Sequence, residues 1–208
     1  WYLDLANERD IGDARFVGVG ELNQLRQIAR DLDPKLLVTA SFGGHDLSRK
    51  DIRDALQLVG SDFLSVHRPR SKESPLQTEA RTRQVLDMLT QMQLVAPVHH
   101  QEPFRRGYTT WEPSANDFLT DLCGAVKGGA AGWCFHNGAQ KSAADGQPRR
   151  SFDLRKERLF DQLDAEEIKV VRKAKAVLIE AGGRLAVGHG RAGDRKTKQS
   201  AELFSYGF

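Results

Sequence analysis

Cysteine is scarce in this chain. Two thiols, Cys123 and Cys134, occur among 208 residues, and neither belongs to a CxxC pair. That excludes a disulfide framework and leaves two half-buried thiols as the plain reading. Charge of one sign is also lacking: 31 basic residues against 28 acidic ones leave a net charge of +3, which makes no general case for a nucleic-acid partner. Long apolar runs are missing too. None approaches the roughly 18 to 20 residues that span a bilayer, so no membrane span is expected. HxH and HExxH pairs are absent. Gly188-His189-Gly190-Arg191-Ala192-Gly193-Asp194 echoes a phosphate loop, but Asp194 stands where the lysine is required. What remains is ordinary globular composition, 39% hydrophobic and 28% charged.

Within that composition, short apolar runs alternate with amphipathic segments. Residues 1–6, 36–40, 63–66, 95–98 and 130–135 read as strands. Between them lie helical patterns. Residues 21–32 carry Leu22, Leu25, Ile28, Ala29 and Leu32 at helical spacing, stopped by Asp33-Pro34. Ser48 and Ser114 are N-caps for two more helices, the first ended by Gly60 and the second by Gly128-Gly129. Residues 75–94 make another, with Val85, Leu86, Leu89 and Met92 inward. Asp164 and Glu167 form a capping box for a last helix, expected to stop at Gly182-Gly183. Five strands, each followed by a helix, predict an α/β fold with a buried parallel sheet. Residues 137–150, rich in Gly, Ala and Ser, read as a long loop after the fifth strand. Residues 184–208 read as a basic C-terminal extension of a domain spanning 1–183.

In parallel α/β folds, reactive groups gather beyond the C-terminal strand ends. Here the first run leads to Asn7-Glu8, the second to His45-Asp46, the third to His67-Arg68, the fourth to His99-His100-Gln101-Glu102 and the fifth to Trp133-Cys134-Phe135-His136. Glu8 and Glu102 stand three strands apart. On a closing sheet they face each other across its mouth, the arrangement that glycoside hydrolysis requires of two carboxyl groups. Trp133, Trp111, Tyr108 and Phe104 are aromatics that could stack on sugar rings there. Two other readings stay open: a non-catalytic barrel that binds a carbohydrate or a protein, and a metal-dependent hydrolase using His45, His67, His99, His100 and His136. Against the second, adjacent His99 and His100 point to opposite sides of a strand.

Asn7-Glu8 at one strand end and Glu102 three strands on resemble the clan A retaining glycoside hydrolases, whose catalytic domain is a (β/α)₈ TIM barrel. The resemblance covers about residues 1–180 and implies that only strands 4 to 8 with their helices are present here, a partial barrel. It implies Glu8 as acid/base, Glu102 as nucleophile, Asn7 as a donor to the sugar 2-hydroxyl and Trp133 as the platform. His67 falls near the nucleophile, with His45 and Tyr108 as further substrate-binding candidates. No cofactor or metal is implied, and the partner is a carbohydrate substrate. A complete barrel typically needs about 250 residues and eight units. Since the chain opens in mid-pattern on Trp1-Tyr2-Leu3, the expectation is that an N-terminal half completes the barrel.

Overall fold

A computed structural model describes residues 1–12, 14, 16–136 and 154–188, the side chains only as far as 182. It is a mixed α/β structure in which every paired strand is parallel. The order is β1 (Tyr2–Asp4), α1 (Val19–Leu32), β2 (Leu37–Thr39), α2 (Arg49–Ile52), β3 (Leu64–Val66), α3 (Ser74–Gln91), β4 (Val98–His100), α4 (Ala115–Gly128), β5 (Gly132–Trp133), α5 (Leu159–Gln162) and α6 (Ala165–Gly188). α2 continues as a wider π-helical turn, Arg53–Val59, to Gly60 in the left-handed conformation. The expected caps are made. Ser48 accepts from the Asp51 N–H, Ser114 from the Asp117 N–H, and Asp164 and Glu167 exchange backbone and side-chain bonds at 2.7 and 2.9 Å.

β1-β2 and β3-β4-β5 form two sheets, joined by a parallel bridge between Ser41 and Ser65. The Asp62 N–H also donates to the Val38 carbonyl at 2.9 Å. Strand order therefore follows chain order without reversal. The sheet is strongly curled. Across its inner face the Tyr2 ring lies 5.8 Å from the His99 ring, and the Gln101 amide reaches Asp4 at 3.3 Å. Three strand spacings on a flat sheet would put β1 and β4 about 14 Å apart. Ser65 donates to the same Gln101 side chain, so a polar layer fills the concave side. On the convex side Leu64, Val66 and Val98 pack with Val85 and Leu89 of α3, while Phe118, Leu122 and Val126 of α4 meet β5 and α6.

Three sequence expectations change. The fourth strand is Val98–His100, not residues 95–98: Val95 is fully exposed, and Pro97 has no N–H for a ladder. His99 and His100 thus lie within the strand. The last helix passes through Gly182-Gly183 to Gly188. Leu25, Ile28 and Leu32 are exposed, so only Leu22 and Ala29 of α1 are buried. The expected loop at 137–150 and residues 189–208 of the basic extension lie outside the described residues. No described helix is long and apolar enough to cross a membrane.

Candidate active site

Past β1 the chain stays beside β2, with Arg9 N–H bonded to the Ser41 carbonyl at 3.0 Å. Between them Glu8 takes a positive φ of 51°. For a side chain other than glycine this left-handed conformation costs on the order of 1–2 kcal/mol. Ser41, fully buried, stabilises it: the Ser41 hydroxyl accepts from the Glu8 N–H at 2.9 Å. Arg9 anchors the corner from below. It is buried, donates to the Val17 carbonyl at 3.0 Å, and lies over the rings of Phe16 and Phe42. The strained corner turns the Glu8 carboxylate over the concave face.

There it meets residues from β3 and β4. Carboxylate oxygens of Glu8 and Glu102 and a ring nitrogen of His67 lie within 4.8 Å of one another. His67 Nδ1 is 3.3 Å from Glu8 Oε1 and 3.8 Å from Glu102 Oε2. Facing two acceptors, Nδ1 carries the hydrogen; Nε2 is buried without a hydrogen-bond partner. Arg70 closes the cluster, its Nη2 at 3.1 Å from Glu8 Oε1 and 2.8 Å from Glu102 Oε2. One guanidinium thus neutralises part of two carboxylates that would otherwise repel. Beyond it, the Tyr108 ring carries Arg70 at 4.9 Å and Arg105 at 4.2 Å from its centroid.

His136 completes the rim. Its Nε2 sits 3.5 Å from Glu102 Oε2 and 3.2 Å from Arg105 Nη1. Burial lowers its pKa to about 3, helped by the positive charges of Arg105 and Arg70. The neutral ring accepts from Arg105 at Nε2, so its proton rests on Nδ1. Cys134, on the same inner face, has its thiol pKa raised by burial and then by the Glu102 charge.

Of the sequence-stated candidates, Glu8, Glu102 and His67 come together, with Tyr108 beside them. Asn7 is exposed, its Oδ1 facing the Ser41 hydroxyl at 3.5 Å. His45 stands apart, between Asp10 at 3.5 Å and Asp51 at 3.4 Å. Trp133 requires correction as a platform. Its register partner is His100, which bonds Thr82 of α3 on the convex side. Trp133 shares that phase, and its indole N–H donates to Asp121 of α4 at 2.6 Å. The inward position belongs to Gly132, where a Cβ would lie 2.6 Å from the His99 ring. Phe104, likewise expected at the mouth, is buried against Trp111 and Phe118. Sequence reasoning missed Arg70 and Arg105, each three residues beyond a strand-end candidate (His67 and Glu102), and gave His136 no role beyond a possible metal ligand. A groove of about 400 Å³ between α3, α4 and α6 lies on the outer helical layer, lined by Pro75, Leu119, Cys123 and Val177, remote from both carboxylates.

No family model matches the chain, and no curated protein matches it. Among solved structures it is similar to the X-ray structure of the endo-beta-1,4-mannanase from Thermotoga petrophila, with a TM-score of 0.47 at 12% identity. The match covers 85% of this chain and 41% of that one, so the chain spans less than half of that protein's length.

Proposed function

We propose that the chain is the later part of a (β/α)₈ barrel, strands 4 to 8, from a retaining glycoside hydrolase in which Glu8 and Glu102 do the chemistry. The observation that carries the reading is the approach of the two carboxylates to within 4.8 Å, from strands three positions apart. Retaining enzymes hold the pair roughly 5–5.5 Å apart, whereas inverting ones leave about 6.5–9.5 Å for a water. The curl of the sheet and its unreversed strand order support a barrel over a doubly wound sheet. Among the described residues β1 pairs with β2 alone, and Trp1 and Leu3 are exposed. Further strands from an N-terminal half belong on that edge. The barrel portion then runs to the end of α6 at Gly188, past the boundary at 183 expected from the two glycines.

In the first step a Glu102 oxygen attacks the anomeric carbon of a carbohydrate. The glycosidic C–O bond breaks and Glu8 gives its proton to the leaving oxygen. In the second, Glu8 takes a proton from water, whose oxygen displaces Glu102, and the configuration is retained. The His67 Nδ1–H, facing both carboxylates, keeps them aligned through the cycle. Arg70 has to withdraw from the gap when a sugar enters it.

A metal-dependent hydrolase is the second reading, favoured by the three clustered ligand atoms of Glu8, His67 and Glu102. Arg70 argues against it, because its nitrogen already stands where a cation would bind both carboxylates. A non-catalytic barrel loses its main support once Trp133 turns outward. The test is turnover of an aryl-glycoside panel by the full chain. Glu8→Gln and Glu102→Gln should each lower kcat/KM by about 10²- to 10⁴-fold, a chelator should change nothing, and the first product should keep the substrate's anomeric configuration. Unchanged turnover in both variants would end the reading.

A further inference from the structure

Arginines crowd the mouth of this site, and nearly all are matched by carboxylates. Arg68 pairs with Asp46 at 3.0 Å, Arg70 with Glu8 and Glu102, and Arg106 with Asp164 at 2.7 Å. Arg105 is the exception. Among the described residues no carboxylate lies within 4 Å of it; its contacts are the Tyr108 ring and the Nε2 lone pair of His136. Its Nε is buried without a hydrogen-bond partner, as are Arg70 Nε and Arg68 Nη2, so what sets Arg105 apart is the missing carboxylate. A half-buried guanidinium in that state has given up water without gaining a counter-charge, which is costly unless an anion arrives. Neighbours hold it there. Tyr108 supports it by cation–π contact, and neutral His136 accepts one of its five donors, with no hydrogen bond to the rest of the fork among the described residues.

Its position says what such an anion would be attached to. The distances from His136 Nε2 to Arg105 and to Glu102 are 3.2 and 3.5 Å and end on one nitrogen. The guanidinium is therefore within the span of one sugar ring and its substituent from the oxygen that attacks the anomeric carbon. Resting on the glycosidase reading above, we infer that Arg105 is a specificity-determining residue for an anionic group, a carboxylate or a sulfate, carried by the sugar that Glu102 attacks. The planar fork suits either group bidentately, so the substrate class is a uronide or a sulfated glycoside rather than a neutral hexoside.

Matched aryl glycosides decide it: a neutral hexoside, the corresponding uronide and the 6-sulfate, in both anomers and in the gluco, galacto and manno series. The wild-type chain should favour an anionic member over its neutral congener by about 10- to 100-fold in kcat/KM. Arg105→Gln should reduce that ratio by a similar factor and Arg105→Lys should retain part of it. Preference for the uronide or for the sulfate identifies which anion is read. Equal rates on neutral and anionic members in the wild type, or an unchanged ratio in Arg105→Gln, would overturn the assignment. Should no glycoside at all be cleaved, the glycosidase reading has failed, and calorimetric titration with glucuronate, glucose 6-sulfate and glucose still decides the subsite. Tighter binding of an anion than of glucose, lost in Arg105→Gln, upholds it, and equal binding refutes it.

Discussion

Asp121 lies behind the sheet, away from the carboxylate pair, and burial raises its pKa to about 6 against the opposing hydrogen bonds from Thr78 and Trp133. Its unfolded value is about 3.9, so between pH 4 and 6 the folded chain keeps a proton that the unfolded chain releases. Stability from this group therefore falls as pH rises through that window. Asp121→Asn should destabilise by about 1–3 kcal/mol through its disturbed bonds, and the gap in Tm from wild type should narrow between pH 4 and 7. A gap that stays level or widens would show the carboxyl to be ionised throughout. Single residues were readable from sequence where chain order carried the information. Glu8 and Glu102 stood out because each closes an apolar run, three runs apart. Trp133 was misread because a two-residue strand inside a longer apolar run does not reveal its phase. Its neighbour Gly132, the one position able to face His99, was the available clue. Arg70 and Arg105 carried no signal, since a charge in a loop looks the same whether it meets water or a carboxylate.

Helices were readable because their caps are local. Ser48, Ser114 and the Asp164–Glu167 pair mark starts that the structure keeps. Stops were less secure: two glycines cost a helix about 1 kcal/mol each, and α6 runs through them. β4 was placed three residues early because Val95-Ala96-Pro97 is apolar, although its proline cannot donate in a ladder. Contacts between helices leave fainter traces. α4 crosses α3 closely through Gly124 and Gly128, and a Cβ on Gly128 would lie 2.6 Å from the Thr82 Cβ and 3.0 Å from the Glu79 carbonyl oxygen. Thr82 in turn bonds His100, so the residue that faces Gly128 also ties α3 to β4. Gly128→Ala should destabilise the chain by about 1–3 kcal/mol through overpacking, as read from denaturant midpoints. A neutral or stabilising result would mean that the two helices are free to move apart.

At the scale of the whole molecule, three buried imidazoles shape the response to acid. Burial lowers His99 to about 4, and His100 and His136 to about 3, against roughly 6.5 in an unfolded chain. Below pH 6.5 the unfolded state gains protons that the folded state refuses, so stability falls as pH falls toward 4. Near pH 5 these three groups, opposed by Asp121, amount to roughly two protons taken up on unfolding, or about 2.7 kcal/mol per pH unit. Denaturant titrations between pH 4.5 and 6.5 measure that slope, and a flat profile would contradict the desolvation of the three rings. The curl of the sheet has a further consequence, in time rather than space. Each strand pairs with its neighbour in the chain, so the ladders can form early from local closures. Glu8 and Glu102 meet only after four strands have bent into one arc. A partly folded chain can therefore hold its helices and most of its sheet while the two carboxylates are still apart, and the chemistry proposed for them waits on the last stages of assembly.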